Sequence, residues 1–126
     1  MLGDYPVFPI LLSTDLEVSR RFYHDVLGLA VLHQDEERVV FRCGGECTLA
    51  LSRSTTGTAD TQTQLAWRVP DIHAAIADLR ARGVHIEEYT EPDPVTTDGV
   101  ADMGWVWAAW FLDPHRNVLS VVQRKA

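Results

Sequence analysis

The stretch TDLEVSRRFYHDVLG at residues 14–28 has the pattern of one amphipathic helix with defined ends. Thr14 and Glu17 fit a capping box, in which a hydroxyl and a carboxylate three residues later satisfy free backbone N–H groups. Apolar residues recur at helical spacing along one side, and Gly28 ends the pattern. An apolar segment precedes this helix and short β-rich segments follow it. The stretch therefore marks a strand–helix–strands unit.

The same pattern returns in DIHAAIADLRARG at residues 71–83. Its glycine lies 55 residues after Gly28, and apolar side chains again recur at helical spacing. Self-similarity at a fixed spacing indicates a duplicated structural unit. We predict a single domain over residues 1–126, with repeat one at 5–53, a linker rich in Ser, Thr and Gly at 54–63, and repeat two at 64–124.

Each half has the order strand, helix, further strands, and neither half could cover its sheet alone. We therefore predict an α+β fold in which two βαβββ repeats form a curved mixed β-sheet with a concave cavity. A long loop is expected over Glu91–Gly99. The predicted strands are Val7–Ser13, Leu29–His33, Arg38–Arg42, Cys47–Ser52, Gln64–Val69, Val84–Tyr89, Trp105–Leu112 and Val118–Gln123.

The charge and hydropathy of the chain exclude two classes of partner. The formal net charge is −7, and the basic residues are scattered apart from the pair Arg124–Lys125, so nucleic acid and anionic membranes are poor partners. No apolar stretch reaches the length of a membrane span, and the first residues do not resemble a signal peptide. We therefore expect a cytoplasmic protein.

Three motifs occur in order along the chain: LExSxxFYxxVLG at residues 16–28, DIxAxxxxLxxxG at 71–83 and DPxxN at 113–117. Together they resemble the vicinal-oxygen-chelate superfamily of glyoxalases, ring-cleaving dioxygenases and bleomycin-resistance proteins. The resemblance covers nearly the whole chain and implies a homodimer. It is specific for the fold and not for a reaction, because this scaffold carries many reactions.

The resemblance also implies where a metal would be bound. Metal-dependent members use one position on the first strand and one on the last strand of each half. These positions correspond here to Phe8, Ala50, Gln64 and Ser120. Phe and Ala offer no donor atom, neutral Ser is a poor ligand, and Gln offers one amide oxygen, whereas a divalent cation needs several N, O or S ligands. We therefore predict neither a metal nor another cofactor.

Strand alternation predicts which side chains line the concave face. If Gln64 faces the cavity, Arg68 does so too, while Leu65 and Trp67 pack beneath the helix. The predicted pocket is mostly apolar with a few small polar groups, as is typical of sites for small organic molecules. Its predicted lining residues are Phe8, Ile10, Leu12, Thr48, Ala50, Ser52, Gln64, Arg68, Trp105, Trp107 and Ser120.

Two assignments in this pocket stay open. Arg68 is the one charged side chain on the predicted face, and it pairs either with an anionic group of a ligand or with an acidic side chain at the cavity mouth. Alternation places Trp105 and Trp107 on one face and Trp110 on the other. Either set stacks on a planar ligand or packs in the core and a subunit interface. The resemblance favours Trp105 and Trp107 for the pocket.

Three functions are compatible with these residues. The first is a metal-free binding protein for a small planar or aromatic compound, for example in antibiotic sequestration. The second is a metal-dependent lyase, isomerase or dioxygenase, against which the missing ligands argue. The third is a metal-free enzyme that polarises its substrate with Arg68, Gln64 or Ser120. The chain carries none of the common catalytic motifs, so no catalytic residue is assigned.

Overall fold

The computed structural model describes residues 1–59, 61–90 and 94–126, and these divide into two compact units, Met1–Ala59 and Asp60–Ala126. Each unit contains one β-sheet and one main helix, so the predicted α+β class is confirmed. The strands of the described residues belong to two sheets, one of four and one of five strands. Within the described ranges, no helix is long and apolar enough to cross a membrane.

The first unit contains four strands in the order β1-β4-β3-β2, with β1 parallel to β4 and the other neighbours antiparallel. Its helix continues into a π-helical segment at Arg21–Val26. The elements are β1 (Ile10–Ser13), α1 (Leu16–Arg20), β2 (Ala30–Gln34), β3 (Arg38–Arg42) and β4 (Thr48–Arg53). The first strand begins three residues later than predicted, at the residue after Pro9, which lacks the N–H that a ladder requires.

The residue that caps helix α1 is Asp15 and not Thr14, which corrects the capping box expected from the sequence. An Asp15 carboxylate oxygen accepts hydrogen bonds from Glu17 N at 3.1 Å and Val18 N at 3.2 Å. Asp15 also has the extended backbone of an N-cap, so the helix starts one residue later than the pattern indicated. At the other end, Gly28 has φ of +82°, the left-handed conformation that ends helices.

The core of the first unit lies between helix α1 and one face of its sheet. Tyr23 is fully buried there, and its ring lies 5.6 Å from that of Phe41. The hydroxyls of Ser13 and Ser19 form a buried hydrogen bond of 2.7 Å between strand and helix. Each large apolar side chain buried here contributes about 1.5–3 kcal/mol. The sheet residues of this core are Leu11, Val39, Phe41, Leu49 and Leu51.

The second unit has five strands in the order β5-β9-β8-β7-β6, with β5 parallel to β9 and the other neighbours antiparallel. Helix α2 packs on β8 and β9 through Ile72 and Ile76, both of which are buried. The elements are β5 (Thr63–Arg68), α2 (Ile72–Ala81), β6 (Thr96–Thr97), β7 (Val100–Asp102), β8 (Val106–Leu112) and β9 (Val118–Arg124).

The segment at residues 84–89 corrects the prediction of a strand. It forms no strand, although Val84 and Ile86 are buried and Glu87 N donates to Trp110 O at 2.8 Å. The alternating apolar residues therefore reflect a segment that packs against the sheet without joining a ladder. Tertiary burial can produce the same sequence pattern as strand pairing.

The loop predicted over Glu91–Gly99 contains a hairpin in its second half, and residues 91–93 lie outside the described part of the chain. Strands β6 and β7 are joined by Asp98 and Gly99, with φ of +52° and +82°. Two successive positive φ angles are typical of the type I′ turn, which suits a two-residue hairpin loop. An Asp-Gly pair is a strong sequence signal for this turn, so the hairpin was detectable from the sequence.

Candidate functional site

One face of the first sheet carries exposed apolar side chains of β1, and Arg38 and Arg42 of β3 lie on the same face, opposite Ser52 and Thr48. Ile10 lies beside Ala50, and Leu12 lies beside Ser52, in the parallel pairing of β1 with β4. Their side chains point away from the helix-covered face, and Ile10 is 57% exposed and Leu12 37% exposed. Phe8, two residues before Ile10, is 56% exposed. We call this surface the first-sheet face; it consists of Phe8, Ile10, Leu12, Thr48, Ala50 and Ser52.

The second sheet has a corresponding face, opposite to helix α2. Pairing of β5 with β9 places Ala66 beside Ser120 and Arg68 beside Val122. Trp110 of β8 lies opposite Ser120 in the antiparallel pairing, so its side chain is on this face as well. We call this surface the second-sheet face; it consists of Ala66, Arg68, Trp110, Ser120 and Val122.

The pairing of β8 with β9 places a different tryptophan on the second-sheet face from those that the resemblance favours. Trp107 lies opposite Gln123, on the helix side of the sheet, and Lys125 Nζ lies 4.2 Å from the centre of its ring. Trp105 precedes β8 and is 72% exposed. Since directly paired residues share a face, Trp110 rather than Trp107 accompanies Ser120.

Trp110 forms the centre of an aromatic cluster that the sequence analysis missed. Its indole N–H donates to the hydroxyl of Thr63 at 2.9 Å, and its ring lies edge-on to Tyr89 at 5.6 Å. Ala101, Ala108 and Val118 pack around it. Burial and, second, the negative charge of Glu87 raise the pKa of the Tyr89 hydroxyl. This cluster gives the second-sheet face a rigid aromatic base.

Gln64 occupies a bulge, and its amide is used within the fold. The register of β5 against β9 shifts between Thr63 and Leu65, so Gln64 does not follow the strand alternation assumed from the sequence. Its Nε2 donates to Asn117 Oδ1 at 3.0 Å, and its Oε1 accepts from Val118 N at 2.8 Å. Gln64 therefore ties β5 to the start of β9.

The turn DPHRN at residues 113–117 is held by its own side chains. One Asp113 oxygen accepts from the backbone N–H groups of His115 at 2.8 Å and Asn117 at 2.9 Å. The other oxygen accepts from Asn117 Nδ2 at 2.7 Å. Arg116 has φ of +66°, a left-handed conformation that Gly adopts more readily than other residues. Asp113 and Asn117 are buried, so this motif determines the turn that precedes β9.

The four positions that the resemblance assigns to metal ligands do not fit a divalent cation. Phe8 and Ala50 carry no donor atom. Both ends of the Gln64 amide are hydrogen-bonded, and the buried Ser120 hydroxyl donates to Ala109 O at 2.9 Å. In the part of the chain that the structure describes, no group of three or more His, Cys, Asp or Glu side chains could hold a metal ion.

An acidic depression of about 820 Å³ lies in the first unit, near the start of α1 and the turn between β2 and β3. Two of its carboxylates accept hydrogen bonds from backbone N–H groups. Asp15 caps helix α1, and Asp35 accepts from Glu37 N at 2.8 Å and Arg38 N at 3.0 Å. The hydrogen bond from His33, and next that from Glu37 N, lower the pKa of Asp35 to about 2. These contacts give the carboxylates a structural role.

Within the described residues, Arg68 has no acidic partner. It is exposed and lines a depression of about 330 Å³ together with Val69, Pro70, Gln123 and Arg124.

Comparison with known proteins identifies the fold. The antibiotic binding protein TnmS3 from Streptomyces sp. CB03234 is 21% identical, with a TM-score of 0.73 and a match over 96% of each chain. A glyoxalase family protein from Enterococcus faecalis is 19% identical, with a TM-score of 0.73 over 97% of this chain and 99% of that chain. A bleomycin resistance determinant encoded on the transposon Tn5 is 18% identical, with a TM-score of 0.69 over 97% of this chain and 99% of that chain. Identities this low show the fold alone.

No curated protein sequence matches the chain significantly. A family model does match: the one described as the Glyoxalase/Bleomycin resistance protein/Dioxygenase superfamily aligns with residues 7–121. This match spans both strand–helix–strands units and includes all three motifs. The chain belongs to the Glyoxalase/Bleomycin resistance protein/Dioxygenase superfamily.

Proposed function

We propose that this protein binds a small, partly apolar organic molecule without a metal ion and sequesters it. The observation that carries the proposal is the first-sheet face, where Phe8 and Ile10 are both more than half exposed. Apolar surface of this kind marks a site of interaction. Covering one such side chain with a ligand contributes about 1 kcal/mol at roughly 25 cal/mol per Å² of apolar area.

The proposed ligand is planar or aromatic. The exposed indole of Trp105 and the aromatic cluster of Trp110 and Tyr89 support this chemistry, because flat rings favour stacked or edge-on contacts with other rings. Within each unit the exposed predicted lining residues remain proposed contacts, and Trp110, which is buried, is proposed to support the second-sheet face from beneath in place of Trp107. Gln64 is proposed to act indirectly, because its amide bonds Asn117 and Val118.

Sequestration of an antibiotic in the cytoplasm by a homodimer is the specific form that we propose. The antibiotic binding protein and the bleomycin resistance determinant among the similar structures support it by analogy. The alternative is a metal-dependent lyase, isomerase or dioxygenase. No observation favours that alternative, because the four implied ligand positions do not fit a divalent cation.

Binding is tested by displacement of a neutral apolar dye, Nile red, with a panel of planar antibiotics and aromatic metabolites. We expect Ile10→Asp to weaken binding of the dye at least tenfold, because it places a charge on the first-sheet face. Val95→Asp is the matched control, since Val95 is 54% exposed and precedes β6 in the second unit, outside the first sheet. Equal affinity in the two variants would contradict the proposed surface.

The metal-free part of the proposal has its own measurement. Elemental analysis after incubation with Zn²⁺, Mn²⁺ or Fe²⁺, followed by gel filtration, is expected to find far less than one metal ion per chain. One tightly held ion per chain would refute this part of the proposal and favour the metal-dependent alternative.

A further inference from the structure

We infer that the second unit contains an anion-binding site in which Arg68 and Arg124 together receive a carboxylate or phosphate group of a small molecule. This inference goes beyond the proposed function, because the site lies within the second unit alone. It concerns the depression of about 330 Å³ at the end of β5, which is large enough for one oxyanion and the atoms next to it.

The strand register brings the two arginines together. Arg68 lies beside Val122 in the parallel pairing of β5 with β9, and Arg124 follows two residues later on the same face of β9. Strand spacing and rise place their Cα atoms about 8 Å apart. Both side chains line the depression, and both are long enough for their guanidinium groups to meet at one anion.

Neither guanidinium is neutralised by the protein within the described ranges, where no ion pair involves Arg68 or Arg124. The neighbouring Lys125 differs, because its ammonium group pairs with Asp102 at 2.5 Å and lies over the ring of Trp107. Two cations of like charge held close together repel each other, and a bound anion would relieve this repulsion. The two arginines lie close together although the net charge of the chain is −7.

Gln123 also borders the depression, but its side chain lies on the helix side of the sheet, where its Oε1 accepts from Ile72 N at 2.8 Å. Among the described residues, no Asp or Glu lines the depression. The acidic residue closest along the chain is Asp71, and its carboxylate caps helix α2 by accepting from Ala74 N at 3.1 Å.

The chemistry of these donors selects an oxyanion. A guanidinium group presents parallel N–H donors in a plane that matches the two oxygens of a carboxylate or a phosphate. The site therefore favours a small molecule that carries a carboxylate or phosphate group.

The test is an NMR titration of the ¹⁵N-labelled protein with sodium phosphate and, separately, sodium acetate, with the ionic strength held constant by sodium chloride. We expect saturable shifts of the Val69 backbone amide and the Gln123 side-chain amide. Arg68→Gln and Arg124→Gln are each expected to weaken binding about tenfold, the loss of one charge-assisted hydrogen bond. The double variant should show no saturation.

Arg21→Gln is the matched control, because Arg21 is exposed on the π-helical segment of the first unit and its loss changes the net charge equally. Shifts that saturate in the control and fail in the double variant support the site. The tighter of the two probes distinguishes a phosphate group from a carboxylate. Shifts that stay linear in the wild type, or persist unchanged in the double variant, overturn the inference.

The proposed function is measured independently by Nile red, which is neutral. If phosphate and acetate fail to bind while Nile red binds, the anion site is wrong and the apolar surface stands. If the anions bind while Nile red fails, the proposed apolar surface is wrong and the basic depression remains as an anion site. The two failures are therefore distinguishable.

Discussion

Gln64→Ala should destabilise the fold, although the resemblance assigns the position of Gln64 to a metal ligand. The substitution removes the hydrogen bonds from Gln64 Nε2 to Asn117 Oδ1 and from Val118 N to Gln64 Oε1. Each bond contributes about 1 kcal/mol, and an unsatisfied buried partner costs about 1–3 kcal/mol. The Asn117 side chain is fully buried, whereas its hydrogen bond with Gln64 is only partly shielded from solvent. We expect the free energy of unfolding to fall by about 2–3 kcal/mol.

Urea denaturation, followed by circular dichroism in the presence of a chelator, measures this loss. Gln34→Ala is the control, because Gln34 is exposed on β2 and the change there should stay within about 0.5 kcal/mol. Gln64→Glu retains an acceptor for Val118 N but loses the donor to Asn117, so its loss should be intermediate. A Gln64→Ala loss no larger than that of the control would refute the structural role and reopen a ligand-binding role for this side chain.

Three further predictions concern the turns. Gly99→Ala should lower the free energy of unfolding by about 2 kcal/mol or more. The φ of +82° at Gly99 disfavours a side chain, and the new Cβ would lie 2.7 Å from Ile86 Cγ2. An unchanged melting temperature would contradict this prediction. Arg116→Gly should stabilise by about 1 kcal/mol by relieving φ of +66°, and a loss of stability in urea would oppose it. Because the pKa of Asp35 is lowered, its carboxylate stabilises the fold fully above pH 3.8 and loses this effect as the pH falls towards about 2. Asp35→Asn should therefore make the free energy of unfolding depend less on pH over that range. A pH dependence equal to that of the wild type would disprove this.

Strand alternation predicted which residues of β5 share a face, and its error at Gln64 has a local cause. The alternation correctly separated Ala66 and Arg68 from Leu65 and Trp67, since ladder pairing preserves a period of two. It failed for Gln64, because a bulge interrupts the period there. A bulge depends on the partner strand, and in this case the Gln64 amide bonds residues more than fifty positions away.

The tryptophans show a second limit of the sequence. Alternation separated Trp107 from Trp110 but could not say which one shares a face with Ser120. That choice depends on the register of β8 against β9, in which Trp110 lies opposite Ser120. Register is set by how two segments pack together and not by either segment alone.

The sequence by itself determined the α+β class, the two strand–helix–strands repeats, the glycine that ends each main helix and the family. These features depend on local patterns: the period of 3.6 residues in helices, the period of two in strands, and the backbone preferences of single residues such as Gly28. Only the tertiary structure decided the role of Gln64, the face of Trp110 and the pairing of Arg68 with Arg124 in one depression. Each of these depends on contacts between residues distant in the sequence, which form only when strands pair in one particular register.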